Sequence, residues 1–179
     1  MKIIRNDLKN DLNIRTEKDF PVKGVEFIDI TPLFLQKDTL NEMCNKFVKE
    51  IKPLNVDYIV GPEARGFLLA SMIAIKVKAG VITARKKGKI PPVALASRVE
   101  YEKEYGMDIL ELPKLVNDTY KGKKFYIVDD VYATGSTMKA ISGEIKKLGG
   151  IVLGEGVIIN IKELNDAKNV FSLIDINED

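Results

Sequence analysis

The sequence predicts an α/β domain: a central, mostly parallel sheet with helices on both faces. Two observations predict it. Short apolar runs near 56–61, 80–84, 125–130 and 152–159 alternate with segments whose apolar residues recur at helical spacing, the pattern of strands joined by crossover helices. Three of these runs also end in loops rich in glycine, charge or hydroxyls, at 61–66, 85–89 and 129–137. Ligands of open parallel sheets bind outside the carboxyl ends of the strands, so the three loops are expected to meet on one edge.

In chain order, residues 1–19 are polar, with Ile3, Ile4, Leu8, Leu12 and Ile14 at roughly helical spacing, and read as a short helix. Pro21, Gly24 and Pro32 forbid a long regular element over 20–33, where loop and short strand are expected. A helix is predicted over 39–51. Leu40, Met43, Phe47 and Ile51 share one face. Thr39 and Glu42 form a candidate capping box, and Pro53 stops the helix. The run 56–61 is a strand, and 62–66 turns into a helix carrying Phe67, Leu68, Met72, Ile73 and Ile75. After a strand at 80–84, residues 85–111 show no clean period, and such a stretch in a compact domain is functional or disordered. A strand at 125–130 precedes a helix from 137, with Met138, Ile141, Ile145 and Leu148 on one face. A strand follows at 152–159, and the last apolar run, 170–174, reads as an edge strand. The 179 residues form one domain, an N-terminal segment to about 35 and a core over 36–179.

Composition excludes several classes. The chain has no histidine, which removes His-based triads and His metal clusters. Proton transfer must use a carboxylate, Lys, Tyr or water, and a divalent ion would need oxygen ligands, largely from a substrate. The lone cysteine, Cys44, excludes an internal disulfide and is expected in the core. A net charge of +2 gives no large electrostatic case for nucleic acid or a membrane surface. No apolar run reaches transmembrane length and the N-terminus lacks a signal-peptide h-region, so a cytoplasmic protein is expected.

The chain is organised around Phe125-Tyr126-Ile127-Val128-Asp129-Asp130-Val131-Tyr132-Ala133-Thr134-Gly135-Ser136-Thr137. It reads as buried strand, acidic edge, loop and helix start. A loop entering a helix offers unpaired N–H groups and partial positive charge to an anion. Gly135 permits close approach, and the hydroxyls of Thr134, Ser136 and Thr137 can donate to phosphate. Asp129 and Asp130 suit sugar hydroxyls about one ribose away. The bland alternative is an ordinary β–loop–α junction with a solvated Asp pair.

This segment resembles the phosphoribosyl pyrophosphate (PRPP) motif of the type I phosphoribosyltransferases, and two other strand-end loops resemble the adenine phosphoribosyltransferases among them. Gly61-Pro62-Glu63-Ala64-Arg65-Gly66-Phe67 is similar to that family's G-x-E/D-A/S-R-G-F loop. Arg85-Lys86-x-Gly88-Lys89-Ile90-Pro91, then Tyr101-x-x-Glu104-Tyr105-Gly106-x-Asp108-x-Leu110-Glu111, resembles its mobile catalytic loop, placed here over 85–111. Phe20-Pro21-x-x-Gly24-Val25-x-Phe27-x-Asp29 looks like its base-binding hood. Three positions depart: Ile28 stands where Arg is usual, Lys103 replaces an apolar residue, and the spacing from Pro91 to Tyr101 is about two residues longer.

The resemblance implies the type I phosphoribosyltransferase fold with a small N-terminal hood, and transfer of phosphoribose from PRPP to adenine, giving AMP and pyrophosphate. It implies ribose binding by Asp129 and Asp130, and 5′-phosphate binding by Ala133, Thr134, Gly135, Ser136 and Thr137. Glu63, Ala64, Arg65 and Lys89 would bind pyrophosphate, and Val25, Phe27 and Ile28 the base. Arg65, Arg85, Lys86 and Glu104 would serve catalysis. Mg²⁺ would be held mainly by PRPP, and a homodimer is expected. The alternatives are a transferase for xanthine or hypoxanthine, and a non-enzymatic PRPP-sensing regulator. The regulator predicts a DNA-binding extension, for which the sequence offers no extra domain or basic surplus.

Overall fold

The computed structural model describes residues 2–5, 14–20, 23–24, 26–103, 106–116 and 118–177. Its elements are β1 (Lys2–Arg5), β2 (Arg15–Lys18), β3 (Glu26–Asp29), α1 (Thr31–Leu35), α2 (Lys37–Ile51), β4 (Tyr58–Pro62), α3 (Arg65–Val77) and β5 (Gly80–Lys86), then β6 (Leu95–Lys103), β7 (Gly106–Pro113), β8 (Lys124–Tyr132), α4 (Ser136–Lys147), β9 (Ile151–Ile161) and β10 (Val170–Asn177). Eight strands form one sheet in the order β1-β10-β9-β8-β4-β5-β7-β6. The five from β10 to β5 run parallel; β1 at one edge and β7 and β6 at the other are antiparallel.

Strand β8 explains the continuous apolar run. Tyr126 and Val128 enter one core with Phe47 of α2 and Leu69 and Ile73 of α3. Phe125 and Ile127 enter the other with Met138, Ile141 and Ile145 of α4. A strand buried on both faces needs apolar residues at every position. Cys44 is buried in the first core.

Several elements differ from the sequence expectation. Residues 2–5 and 15–18 are strands, not a helix; β1 gains its hydrogen-bond partners from β10 at the far end of the chain and β2 from β3. Leu8 and Leu12 lie outside the described residues. Thr39 and Glu42 form no capping box, because α2 starts two residues earlier with Gln36 at its N-cap, leaving Thr39 buried within the first turn. On α3 the buried residues are Gly66, Leu69, Ala70, Ile73 and Ala74, whereas Leu68 and Ile75 are exposed. Strand β10 is not an edge, since β1 covers it.

The largest difference lies over 85–111. Its described part is the end of β5 followed by an antiparallel hairpin, β6–β7, which extends the sheet beyond β5. Glu111 explains how a hairpin so rich in charge is held there. Its carboxylate is fully out of solvent and accepts hydrogen bonds from Arg98 Nε at 2.7 Å, Gly88 N at 3.0 Å and Ile90 N at 3.3 Å. The Arg98 bond first, then the backbone N–H groups, hold its pKa below the ordinary 4.5. A carboxylate with a depressed folded pKa contributes stability above its unfolded value and loses it as pH falls through the folded one. Glu111→Gln is therefore expected to lower the urea midpoint at neutral pH. The gap to wild type should narrow as pH drops below about 4.5, and a gap independent of pH would refute the charge role.

Candidate active site

Three parallel strands deliver their loops to one edge of the sheet. A cavity of about 170 Å³ opens there, lined by Pro62, Glu63, Ala64 and Arg65 after β4, Lys86 at the end of β5, and Asp129, Asp130 and Thr137 of the β8–α4 junction. Of the residues predicted from sequence it thus brings together Glu63, Ala64, Arg65, Lys86, Asp129, Asp130 and Thr137.

The approach of β4 to α3 is set by glycine. A Cβ on Gly61 would stand 2.3 Å from the Gly66 carbonyl oxygen, so the turn closes only without a side chain there. The Glu63–Ala64 peptide in this turn is cis. Arg65 opens α3, with Nε 2.6 Å from Asp130 Oδ2 and its guanidinium 5.9 Å from the centre of the Phe27 ring. That ion pair is a close charge contact without an aligned hydrogen bond, and Asp130 Oδ2 is buried with no hydrogen-bond donor. The Arg65 charge offsets that of the Asp130 carboxylate.

Asp129 Oδ1 accepts the Asp130 N–H at 2.8 Å. Removal from water, then the Asp130 charge beside it, pushes the Asp129 pKa well above the ordinary carboxylate value. At the start of α4, Gly135 is the N-cap at φ +76°. Its missing side chain admits the ring of buried Tyr132, whose Cζ and Oη would lie 2.2 Å from a Cβ. Thr134 Oγ1 accepts the Ser136 N–H at 3.4 Å and donates to Ser136 Oγ at 3.3 Å. The turn is thereby folded on its own hydroxyls, and Ser136 and Thr137 open the helix.

Other predicted residues are placed differently. The Glu63 carboxylate accepts Arg85 Nε at 3.0 Å and the Lys86 N–H at 2.9 Å, and these two bonds, backbone first, hold its pKa down. An anion committed to these donors braces the basic strand end and does not itself attract pyrophosphate. Arg85 lies between Glu63 and the face of Phe67, 5.6 Å from the ring centre. Lys89 is exposed in the following turn and does not line the cavity. In the hood, Phe27 packs edge-to-face on Phe20 with ring centres 5.1 Å apart. Ile28 points instead into the main core with Ile30 and Leu33, so its side chain is packing and not pocket lining. Val25 and Glu104 lie outside the described residues.

Tyr101, Asp108 and Leu110, which the sequence placed in the catalytic-loop motif without an individual role, line the cavity from the hairpin. Tyr101 and Asp108 are direct cross-strand partners, with the tyrosine hydroxyl 3.4 Å from Asp108 Oδ2. Their shared register was the available signal.

The family model for the phosphoribosyl transferase domain matches residues 33–177. An adenine phosphoribosyltransferase of Brachyspira hyodysenteriae is 42% identical over 157 residues, covering 88% of this chain and 90% of that one. One from Malacoplasma penetrans is 39% identical over 172 residues, covering 94% and 96%. Among solved structures, the Thermoanaerobacter pseudethanolicus enzyme superposes with a TM-score of 0.82 at 36% identity, covering 91% of this chain and 95% of that one. The Saccharomyces cerevisiae enzyme, complexed with an imino-altritol bisphosphate and adenine, gives 0.79 at 30% identity, covering 90% and 94%. With this extent of match, and with Glu63, Arg65, Lys86, Asp129, Asp130 and Thr137 of its motifs lining one cavity, the chain belongs to the adenine phosphoribosyltransferase family.

Proposed function

We propose that the protein transfers the 5-phosphoribosyl group of PRPP to adenine, releasing AMP and pyrophosphate, in purine salvage. The observation that carries this reading is the adjacent carboxylate pair Asp129–Asp130 at the end of β8, in a cavity shared by all three strand-end loops. Ribose hydroxyls can donate to this pair. The Asp129–Asp130 pair binds the ribose, and residues 133–137 hold the 5′-phosphate with backbone N–H groups and hydroxyls at the α4 N-terminus.

In the reaction the bond from the anomeric carbon to pyrophosphate breaks and a bond to the purine nitrogen forms. Negative charge grows on the leaving pyrophosphate. Arg65 and Lys86 meet it from the cavity wall, with Arg85 held nearby by Glu63, an electrostatic contribution to the transition state. Glu104 takes charge of the proton at the purine N7. The donor set suits a Mg²⁺ ion that arrives on PRPP, because Mg²⁺ ordinarily takes one or two carboxylates plus substrate phosphates, and Asp129 and Asp130 provide carboxylates at the cavity. When bound, the ion neutralises pyrophosphate charge. The hairpin covers the site and limits hydrolysis of PRPP by water.

The hood selects adenine through backbone groups near Phe27, which match an exocyclic amine and a ring-nitrogen acceptor whatever side chain stands at 28. A 6-oxopurine presents the reverse pattern, and hydrogen-bonding sites discriminate by factors of about 10⁴ or more. A homodimer and a cytoplasmic setting complete the reading. No helix among the described residues is long and apolar enough to cross a membrane. The test is to incubate protein, Mg²⁺ and PRPP with adenine, hypoxanthine or xanthine and follow nucleotide formation. AMP is expected to dominate; faster turnover of a 6-oxopurine would overturn the base assignment, and no nucleotide at all the enzymatic one.

A further inference from the structure

We infer that Asn165, in the crossover between β9 and β10, is a positioning residue for the 5′-phosphate loop. Its Nδ2 lies within hydrogen-bond distance of three oxygens, the carbonyls of Ala133 and Ile161, each at 2.8 Å, and Asn160 Oδ1 at 3.0 Å, which its two N–H groups share. Its orientation is fixed by its other end: Asn165 Oδ1 accepts the Ala167 N–H at 3.1 Å, which leaves the NH₂ group facing the three oxygens. Asn160, the acceptor beneath, is completely buried and pairs in register with Tyr132, the residue just before the loop. Its own Nδ2 has no partner. Buried polar groups left partly unmatched are retained at a cost, and here they hold one amide under the loop.

The consequence follows from peptide planarity. A trans peptide sets its C=O and N–H on opposite sides. Anchoring the Ala133 carbonyl on Asn165 therefore aims the Thr134 N–H away from the crossover and fixes the first peptide of the loop. Beyond that peptide the loop's hydrogen bonds are local ones: Thr134 with Ser136, Lys139 Nζ to the Thr134 carbonyl at 3.4 Å, and Lys139 N to the Gly135 carbonyl at 2.9 Å. Asn165 thus ties the entry of the loop to the sheet at a point no phosphate-binding motif includes. This inference rests on the reading that residues 133–137 hold the 5′-phosphate.

The test compares Asn165→Asp and Asn165→Ala with Thr137→Ala, a residue of the loop itself. Asn165→Asp keeps the shape and the acceptor for Ala167 but turns the donor into an acceptor facing three oxygens. The KM for PRPP and the Kd for AMP are expected to rise about 2- to 12-fold, as for loss of one such bond. The KM for adenine and kcat should stay within about twofold. The Asp variant's deficit in AMP binding, measured by calorimetry as a ratio to wild type, should shrink as pH falls toward the carboxylate range, since the neutral acid regains one donor. Thr137→Ala should also raise the KM for PRPP. If it does and neither Asn165 variant does, the inference alone is wrong. If Thr137→Ala leaves PRPP untouched, the loop reading fails and the inference with it. A parallel loss of kcat and of affinity for both substrates, with no pH recovery in the Asp variant, would make Asn165 merely structural and overturn the proposal.

Discussion

Asp129→Asn is expected to make the free protein more stable and the enzyme worse. The activity loss follows from the ribose contact: each charge-assisted hydrogen bond is worth about 1.5–3 kcal/mol, so kcat/KM for PRPP should fall about 10- to 150-fold. The stability gain follows from the opposite side of the same geometry. Asp129 carries a raised pKa because it is withdrawn from water beside the Asp130 charge. A carboxyl whose folded pKa is raised binds more protons in the folded state over the window that opens at its ordinary value, near 3.8. Across that window stability falls as pH rises, down to a floor reached above the folded pKa. Asparagine removes the charge and with it the fall. The stability difference between variant and wild type should thus be small in acid and grow toward neutrality, read from denaturant midpoints at several pH values. Identical pH profiles would refute the like-charge strain, and unchanged kcat/KM would refute the ribose role. Asp130→Asn should share the activity loss but not the clean stability gain, because it also strands Arg65, whose Nε stands 2.6 Å from Asp130 Oδ2.

What could be read from the sequence was what local pattern determines. Strand β8 is apolar at 125–128 because both its faces are covered, so the strand, the acidic pair at its end and the turn into α4 were legible from one stretch. The Gly61–Gly66 approach was legible for the same reason: glycine and proline at a strand end leave few conformations. The hairpin was not. Its period-2 signal exists, with Val99 and Tyr101 turned inward between Arg98, Glu100 and Glu102. It was masked by those charges and by Glu111, a carboxylate buried between Leu110 and Leu112. Strand β1 is four residues whose existence depends on pairing Lys2 with Asn177 and Arg5 with Ile174, and no local window contains that information. Glu63 and Asn165 mark the same limit inside the site. Their types were visible, but which donors and acceptors they meet depends on loops 22 and 32 residues away.

Gly135→Ala is expected to be strongly damaging. Two independent costs meet there. The backbone sits at φ +76°, where a residue with a Cβ is strained by about 1–2 kcal/mol. The new Cβ would also fall 2.2 Å from Tyr132 Cζ and Oη, far inside contact distance, and Tyr132 is buried with Met138 and Ile141 behind it. Overpacking of that kind costs about 1–3 kcal/mol more. The chain can relieve both by letting the turn leave its place, which moves the Thr134 and Ser136 N–H groups from the phosphate position. The expected result is a loss of about 100-fold or more in kcat/KM for PRPP, converting a combined cost of about 3 kcal/mol or more, with far-UV circular dichroism unchanged. The two costs can be separated. Tyr132→Leu removes the ring and with it the steric part, but leaves φ as it is. In the Tyr132→Leu background, Gly135→Ala should therefore cost less than in wild type by an interaction energy of about 1 kcal/mol or more. Strict additivity of the two substitutions would show that backbone conformation alone demands glycine at 135, and that the tyrosine ring plays no part in shaping the turn.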